Sequence, residues 1–559
     1  MKRRLKTPSV LIASLLVLTN CGGSNTADEA PVEEQSATTT PVTETPEEAA
    51  VETVEDEETD EETDEESGEE TREALISLLV ASMPFEEPEF VACVIDAIHE
   101  DLGTPYDAML SQILSGEEGT AEWEESFGTA FVTCSTLLTQ GQIDLLLQDE
   151  ESEEPLASDE LTAEIQESLQ AWLSANNAPS SSLSVLLPDG SQINIAEGTR
   201  DRDGNPATTE DYWRIASITK PLTSAVVLKL VEEGSIGIDE PVMTYLGKEW
   251  AYGYVLDEVD YAPLITIRQI LNHTDGFREY AFDPGFYLMV SDRLDVEMEP
   301  QEIVDWAFGV GPQYIPGTEY SYNTVGHVVA GLVIEAVTGQ PAHEVMREYL
   351  FSPAGAPDMY LTPKEFPPNM VPSMFVQGQL ADLISLLPGL APYLDDATYG
   401  EWLDLSVGPQ EVLTSAPWTG GGVEAQMDDL ARAFKAMFDG TILKEETIDL
   451  FSEKAIDTSY ALGIQLSERV GYQTFEHGGG VPGFRSHARY YPELDISIAL
   501  STNLIPVDPD VGAIADEVTL IVLDHLEEAG WELPDRISDG DAPEDPNQGN
   551  VGERSSDMK

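Results

Sequence analysis

Basic residues are scarce in this 559-residue chain, which carries 26 Lys and Arg against 106 Asp and Glu. The formal net charge of -80 at pH 7 repels other polyanions, so the composition excludes nucleic acid as a partner. A Gly-x-Ser-x-Gly elbow is also missing from the sequence. Its absence excludes the α/β-hydrolase design, in which the nucleophile sits on such an elbow.

Histidine and cysteine are few as well, with 7 His and 3 Cys. The histidines are scattered and form no His-Glu-x-x-His pattern. Cys93 and Cys134 belong to no Cys-x-x-Cys pair and have no histidine in a zinc-type spacing. The sequence therefore predicts no metal site and no cofactor.

Residues 1–21 have the pattern of an export signal, with basic residues before an apolar run from Val10 to Leu18 that is too short to span a bilayer. The segment ends in Leu18-Thr19-Asn20-Cys21, which resembles the bacterial lipobox. The resemblance implies that Cys21 is lipidated and holds the protein on the outer face of the cell membrane. Asn20 stands where a small residue is usual, and secretion without a lipid is the alternative.

Changes in composition divide the rest of the chain. Residues 22–71 are acidic with almost no large apolar side chain, which predicts a disordered linker or, alternatively, an acidic partner-binding tail. Apolar residues then recur with helical period, which predicts a small helical domain at 72–148 that could contact the cell envelope. In an exported protein, the pair Cys93 and Cys134 favours a disulfide that staples this domain. The remaining predicted segments are an acidic hinge at 149–160, the main domain at 161–534 and a disordered tail at 535–559.

The main domain combines two kinds of apolar pattern. Alternation typical of strands occurs around 183–195, at 462–466 and at 485–500, with a short link at 492–495 that favours antiparallel pairing. The stretches between are mostly helical, including 217–233, 325–337 and 428–438. Strands from both ends of a domain around a helical middle predict an α+β fold, with one antiparallel sheet flanked by helices.

A Ser-x-x-Lys spacing, Ser217 to Lys220, stands at the start of a predicted helix, which Gly234 is expected to end. Residues three apart share one helical face, so the amine can reach the hydroxyl. A serine needs such a base to become a nucleophile, and a lysine becomes a base when burial lowers its pKa. The alternative for Ser217 is an ordinary helix N-cap.

Two further segments carry groups that could act with this pair. Tyr322 lies on a turn and could relay protons if a nearby cation lowered its pKa, with core packing as the alternative. His477-Gly478-Gly479-Gly480 is expected where the chain turns between strands. Its glycines let the backbone approach a substrate and its histidine can supply a donor or partial positive charge, although a plain turn is the alternative.

Five segments occur in order along the main domain: Arg214–Lys220, Ile265–Phe277, Pro316–Gly326, Gly420–Gly422 and His477–Phe484. Together they resemble the serine β-lactamase and penicillin-recognising hydrolase superfamily, most closely its class C-type branch. That branch includes class C β-lactamases, D-alanyl-D-alanine carboxypeptidases, D-aminopeptidases and related esterases. The resemblance covers most of 161–534 and implies the β-lactamase/transpeptidase-like fold, with an all-helical subdomain beside the sheet.

The resemblance implies roles for individual residues. Ser217 would be the acylated nucleophile, Lys220 its activating partner and Tyr322 the tyrosine of a tyrosine-x-asparagine motif that shuttles the proton. His477-Gly478-Gly479 matches the lysine-threonine-glycine element in a histidine-x-glycine form. The backbone amides of Ser217 and Gly480 would form the oxyanion hole, with Gly479 in the same substrate-binding strand. His273 matches a structural turn and is not expected to be catalytic.

Two departures from the family pattern bear on the substrate. Thr324 stands at the usual asparagine, which alters a contact to the acyl side chain, and His477 replaces the lysine of class C β-lactamases. We therefore expect a carboxypeptidase, D-aminopeptidase or esterase that cleaves a small peptide or ester, with β-lactam hydrolysis as an alternative. A catalytically inactive, envelope-binding lipoprotein is the other alternative.

Overall fold

The computed structural model describes residues 72, 76, 88–102, 130, 134 and 155–537, with gaps at 252, 282, 380–383 and 386–387. The chain divides into two compact units, Met1–Glu153 and Glu154–Lys559. The predicted export signal with Cys21, the linker at 22–71, the hinge up to residue 154 and the tail from 538 lie outside the described residues. Within the described ranges, no helix is both long enough and apolar enough to span a membrane.

In the first unit, helix α1 spans Pro88–Leu102 and buries one apolar stripe that includes Phe90, Val94 and Ile98. Cys93 of this helix forms a disulfide with Cys134, and their Cα atoms are 5.8 Å apart. The disulfide and the helix agree with the disulfide-stapled helical module predicted from the sequence.

The second unit is built on a six-stranded antiparallel sheet in the order β11-β12-β13-β14-β1-β2. Strands β1 and β2 come from the start of the domain and the other four from its end, so the sheet joins both ends of the domain as predicted. The strands are β1 (Ser180–Leu186), β2 (Gln192–Gly198), β11 (Gln465–Arg469), β12 (Tyr472–Val481), β13 (Phe484–Tyr491) and β14 (Ile496–Thr502).

Helices cover both faces of this sheet. On one face, α2 (Asp159–Asn176) and α13 (Val511–Glu528) share a buried cluster with the strands, for example Leu169 and Val518 with Ile498. On the other face, α3 (Thr219–Glu232), α8 (Val325–Thr338) and α11 (Met427–Ala436) belong to a larger cluster. Each large apolar side chain buried in this way stabilises the fold by about 1.5–3 kcal/mol. The α+β prediction is confirmed.

The remaining helices and strands are short, and apart from the last strand, which follows β14, they lie between β2 and β11. The helices are α4 (Met243–Leu246), α5 (Ile267–Leu271), α6 (Pro284–Val290), α7 (Pro300–Val310), α9 (Ala342–Met346), α10 (Glu411–Ser415) and α12 (Glu445–Phe451). The short strands are β3 (Trp213–Arg214), β4 (Val255–Leu256), β5 (Val259–Asp260), β6 (Met359–Leu361), β7 (Met374–Val376), β8 (Thr398–Tyr399), β9 (Trp402–Asp404), β10 (Val423–Ala425) and β15 (Leu504–Ile505).

The structure differs from the sequence expectations at three places. Residues 477–480 lie inside β12 instead of at a turn, and the chain turns at Gly483, where φ is +86°. The alternation at 462–466 belongs mainly to a loop, because β11 begins at Gln465. Helix α2 begins at Asp159, inside the predicted hinge, while Ile537 donates a backbone hydrogen bond to Gly471, so the folded unit extends past 534.

Candidate active site

Ser217 lies in a 3-10 turn, Ala216–Ile218, between strand β3 and helix α3. Ala216 has φ +50°, a left-handed conformation that costs free energy for a residue with a side chain and often marks functional sites. Ala216 and Ile218 are buried, whereas Ser217 is partly exposed. The Ser217 hydroxyl accepts a hydrogen bond from Lys220 and does not cap α3, whose N-cap is Ile218. The N-cap alternative therefore does not describe its position.

Helix α3 buries most of its residues, including Lys220. The helix stops before Gly234, which takes φ +74° as expected of a residue that follows a helix end. Lys220 Nζ donates to Ser217 Oγ at 3.1 Å, to Thr324 Oγ1 at 3.3 Å and to the carbonyl oxygen of Gly420 at 2.8 Å. The three protons of an ammonium group thus have three acceptors.

Burial lowers the pKa of Lys220 to about 8, although the negative charge of Glu279 opposes part of this effect. At pH 7, Lys220 is then a neutral amine in about a tenth of the molecules. A neutral amine 3.1 Å from the Ser217 hydroxyl can accept its proton. The pair has the geometry and the ionisation that nucleophile activation needs.

Tyr322 lies beside this pair, with its ring centroid 4.9 Å from Lys220 Nζ. The pKa of Tyr322 is not lowered overall, although the charge of Arg485 lowers it in part. Burial raises this pKa well above its usual value, and the nearby Ser217 hydroxyl only partly offsets the increase. Tyr322 is therefore a neutral phenol at physiological pH, able to donate its proton but not to act as a phenolate base.

Thr324, at the usual asparagine position, is mostly buried and connects two charged groups. Its hydroxyl donates to Glu279 Oε2 at 2.9 Å and accepts from Lys220. The other oxygen of Glu279 accepts the backbone N–H of Ala281 at 2.7 Å. Sequence reasoning missed Glu279, since its only signal was a carboxylate two residues after the His273–Phe277 motif.

His477 lies in β12, buried in the wall of the site, with its ring centroid 6.2 Å from that of Tyr322. Its Nδ1 is 2.6 Å from the carbonyl oxygen of Gly478, which can only accept, so Nδ1 carries the proton. Its Nε2 then accepts from the Tyr460 hydroxyl at 3.0 Å. Sequence reasoning also missed Tyr460.

Burial and the Lys220 charge lower the pKa of His477 to about 3, so the ring is neutral. His477 therefore does not supply a partial positive charge, one of the two contributions expected of it, and both ring nitrogens already have partners within the protein. The structure gives this residue a position in the wall of the site beside Tyr322.

The glycines after His477 bring β12 against the serine turn. A Cβ atom on Gly479 would lie 2.1 Å from the carbonyl oxygen of Ile215, two residues before Ser217. Only glycine permits this approach. Strand β11 pairs with β12 only over Tyr472–Glu476, so β12 has no partner on that side from His477 onward. Gly480, in this unpaired part, is exposed. The amides of Ser217 and Gly480 thus belong to two segments that touch at Ile215 and Gly479, as an oxyanion hole between them requires.

The loop at His273–Phe277 supports the tyrosine turn from behind. His273 is fully buried with φ +59°, and its Nδ1 accepts the backbone N–H of Asn323 at 3.5 Å. Asp275 accepts from the side-chain amide of Asn323 at 3.0 Å and from the N–H of Phe277 at 2.6 Å. Burial raises the pKa of Asp275 to about 7. These contacts fit the structural role expected of His273.

The segment 358–414, which has no counterpart in the five motifs, contains strands β6–β9 and all but the last residue of helix α10. Arg214, three residues before Ser217, donates a hydrogen bond of 3.1 Å to the side chain of Gln410 in this segment. Among the described ranges, no cluster of three or more His, Cys, Asp or Glu side chains is arranged to hold a metal ion.

Comparison with known proteins identifies the family. The Beta-lactamase family profile matches residues 167–522, more than half of the chain. Penicillin-binding protein 4* of Bacillus subtilis is 26% identical over 315 residues, 54% of this chain and 63% of that protein. Penicillin-binding protein 4 of Amycolatopsis lactamdurans is 25% identical over 345 residues, 60% of this chain and 84% of that protein. Esterase EstB of Burkholderia gladioli and a D-aminopeptidase of Gluconobacter oxydans are further relatives.

The fold also matches solved structures. The D-amino acid amidase of Ochrobactrum anthropi superposes with a TM-score of 0.54 at 22% identity, covering 66% of this chain and all of the amidase. A likeness at this identity shows the fold alone. The profile match and the assembled Ser217, Lys220 and Tyr322 lead to one conclusion: this chain belongs to the β-lactamase family and is a serine hydrolase of the β-lactamase fold.

Proposed function

We propose that the protein is an exported hydrolase that cleaves amide or ester bonds through an acyl-enzyme on Ser217. The observation that carries the proposal is the 3.1 Å contact between Ser217 Oγ and a buried Lys220 whose pKa is about 8. Such an amine is neutral often enough near neutral pH to serve as a general base.

In the acylation step, neutral Lys220 takes the hydroxyl proton as Ser217 Oγ attacks the carbonyl carbon of the substrate. The carbonyl oxygen becomes an oxyanion, which the amides of Ser217 and Gly480 stabilise. The bond from the carbonyl carbon to the leaving nitrogen or oxygen then breaks. The leaving group takes a proton from the Tyr322 phenol, which is restored from Lys220.

In the deacylation step, water attacks the acyl carbon of the Ser217 ester. Neutral Lys220 accepts a proton from this water directly or through Tyr322 and then returns it to Ser217 Oγ as the bond between the acyl carbon and Oγ breaks. The products are a carboxylic acid and the free enzyme. Both steps use the same base, so one pair of side chains serves the whole cycle.

The substrate class we propose is a small peptide or ester, as for a D-alanyl-D-alanine carboxypeptidase, a D-aminopeptidase or an esterase. Neutral His477 supports this choice over a penicillinase, because it supplies no positive charge where class C β-lactamases have lysine. The esterase and D-aminopeptidase among the relatives also support it.

We further propose that the protein is exported and anchored through a lipid on Cys21, with its substrate in or near the cell wall. The support is the basic and apolar N-terminus followed by Leu18-Thr19-Asn20-Cys21. Labelling of cells with a radioactive fatty acid tests the anchor. The wild type should incorporate label in the membrane fraction and Cys21→Ala should not; equal incorporation would refute lipidation at Cys21.

A fluorescent penicillin and a fluorophosphonate probe test the nucleophile. The wild type should be labelled by at least one probe and Ser217→Ala by neither, and equal labelling of the two proteins would refute the assignment. A panel of D-alanyl peptides, D-amino acid amides, short-chain esters and nitrocefin then separates the substrate classes. Turnover of nitrocefin alone would support the β-lactamase alternative, and no labelling or turnover at all would support the inactive lipoprotein.

A further inference from the structure

Lys220, Thr324 and Glu279 form a hydrogen-bonded chain that ends at a partly exposed carboxylate. A carboxylate can only accept, so the single proton of the Thr324 hydroxyl is committed to Glu279. The hydroxyl oxygen therefore faces Lys220 with a lone pair. The direction of each hydrogen bond in the chain is fixed by the charge at its end.

This direction matters when Lys220 becomes a neutral amine. The neutral group keeps two protons, and two fixed acceptors, Thr324 Oγ1 and the Gly420 carbonyl oxygen, lie at 3.3 Å and 2.8 Å. Its lone pair is then left to face Ser217 Oγ at 3.1 Å. If the Thr324 proton were not held by Glu279, the hydroxyl could rotate and donate to the lone pair itself.

We propose that Glu279 is a positioning residue that, by holding the Thr324 proton, keeps the lone pair of Lys220 directed at Ser217. The proposal rests on the proposed function, since it assigns a role in activating the same nucleophile. Glu279 acts through Thr324 and Lys220. The proposed role of Glu279 also explains how threonine can replace the usual asparagine at position 324. An asparagine side-chain carbonyl can only accept a hydrogen bond, whereas a threonine hydroxyl is restricted to accepting from Lys220 only when its own proton is donated elsewhere.

The other ionisable groups around Lys220 are neutral, so Glu279 is the charged group that acts on it. His273, His327 and His477 are buried, and burial holds the pKa of each ring well below its usual value. Tyr322 is a neutral phenol. Glu279 is the charge that raises the pKa of Lys220 against the effect of burial.

The rate of Ser217 labelling by the fluorophosphonate probe, measured from pH 5 to pH 10, tests the proposal without a known substrate. Glu279→Gln keeps the shape of the side chain but removes its charge, so its amide can donate to Thr324. We expect the maximal labelling rate to fall about 10-fold or more. We also expect the midpoint of the rise with pH to move down by about 1–2 units, because an opposite charge near Lys220 is lost.

Substitutions at Thr324 separate positioning from charge. Thr324→Val removes the acceptor and should lower the maximal rate by a similar factor, whereas Thr324→Asn supplies an acceptor that does not depend on Glu279 and should label faster than Thr324→Val. In the Thr324→Asn background, Glu279→Gln should change the maximal rate less than about 2-fold. Glu319→Gln, which removes an exposed charge from the neighbouring turn, is the matched control and should leave the profile unchanged.

The outcomes distinguish this inference from the proposed function. If the wild type is not labelled at Ser217, the function fails and the inference with it. If the wild type is labelled but Glu279→Gln has the same maximal rate and midpoint, the inference is overturned while the function stands. Should Glu279→Gln not fold, equal rates for Thr324→Val and Thr324→Asn would overturn the inference, and a lower rate for Thr324→Val alone would support it.

Discussion

Gly479 is the residue whose replacement should separate folding of the sheet from assembly of the active site. In Gly479→Ala, the new Cβ would lie 2.1 Å from the Ile215 carbonyl oxygen and 2.2 Å from Ser486 Oγ. Neither contact can be sustained, so β12 and the serine turn must separate by about 1 Å. The hydrogen bond from Ser486 Oγ to the Ile215 oxygen, 2.8 Å long and buried, would be strained by the same shift.

Two consequences can be measured for Gly479→Ala. Overpacking of this kind lowers the free energy of unfolding by about 1–3 kcal/mol, which denaturant unfolding detects. A displacement of about 1 Å between the nucleophile and its oxyanion donors can slow the reaction about 100-fold. We expect a folded protein with a rate of probe labelling at Ser217 that is lower by about that factor.

Gly478→Ala is the control, because its new Cβ would meet nothing closer than 3.8 Å, at Arg485. This variant should keep the stability of the wild type and most of its labelling rate. If Gly479→Ala labels as fast as Gly478→Ala, the close contact between β12 and the serine turn does not position the site, and the reasoning is refuted.

Three further predictions concern ionisation, the His477 wall and the disulfide. Because Lys220 must be neutral to accept a proton and its pKa is about 8, the wild-type labelling rate should rise with pH and level off above pH 8; a rate already constant from pH 5 to pH 7 would contradict Lys220 as the base. Tyr460→Phe removes the donor to His477 Nε2 and should lower the free energy of unfolding by about 1–3 kcal/mol, as measured in urea, whereas an unchanged value would show that this buried acceptor finds another partner. Cys93→Ser opens a link between residues 41 apart and should destabilise the first unit by about 4 kcal/mol without changing labelling of Ser217; limited proteolysis that cleaves both proteins equally fast would contradict this.

Much of the fold could be predicted because its signals are local. The alternation around 183–195 forms the hairpin β1–β2, and the helical stretch at 217–233 becomes α3 after one 3-10 turn. The glycines of 477–480 misled the prediction, since glycine is typical of turns. In this protein they remove side chains from a strand that passes against the Ile215 carbonyl oxygen.

The parts of the site that could not be predicted depend on contacts between residues far apart in the chain. Glu279 meets Thr324 across 45 positions, and Tyr460 meets His477 across 17 positions. The ionisation of Tyr322 and His477 could not be predicted for a related reason. Their pKa values depend mainly on burial, which raises that of the phenol and lowers that of the imidazole.

The central claim, that Ser217 becomes acylated, can be measured directly by mass spectrometry of the intact protein after brief reaction with a penicillin or a fluorophosphonate. The account predicts a mass increase of one acyl or phosphonyl group on the wild type, mapped by peptide digestion to Ser217 and absent from Ser217→Ala. An adduct on another residue, or one that persists in Ser217→Ala, would contradict it.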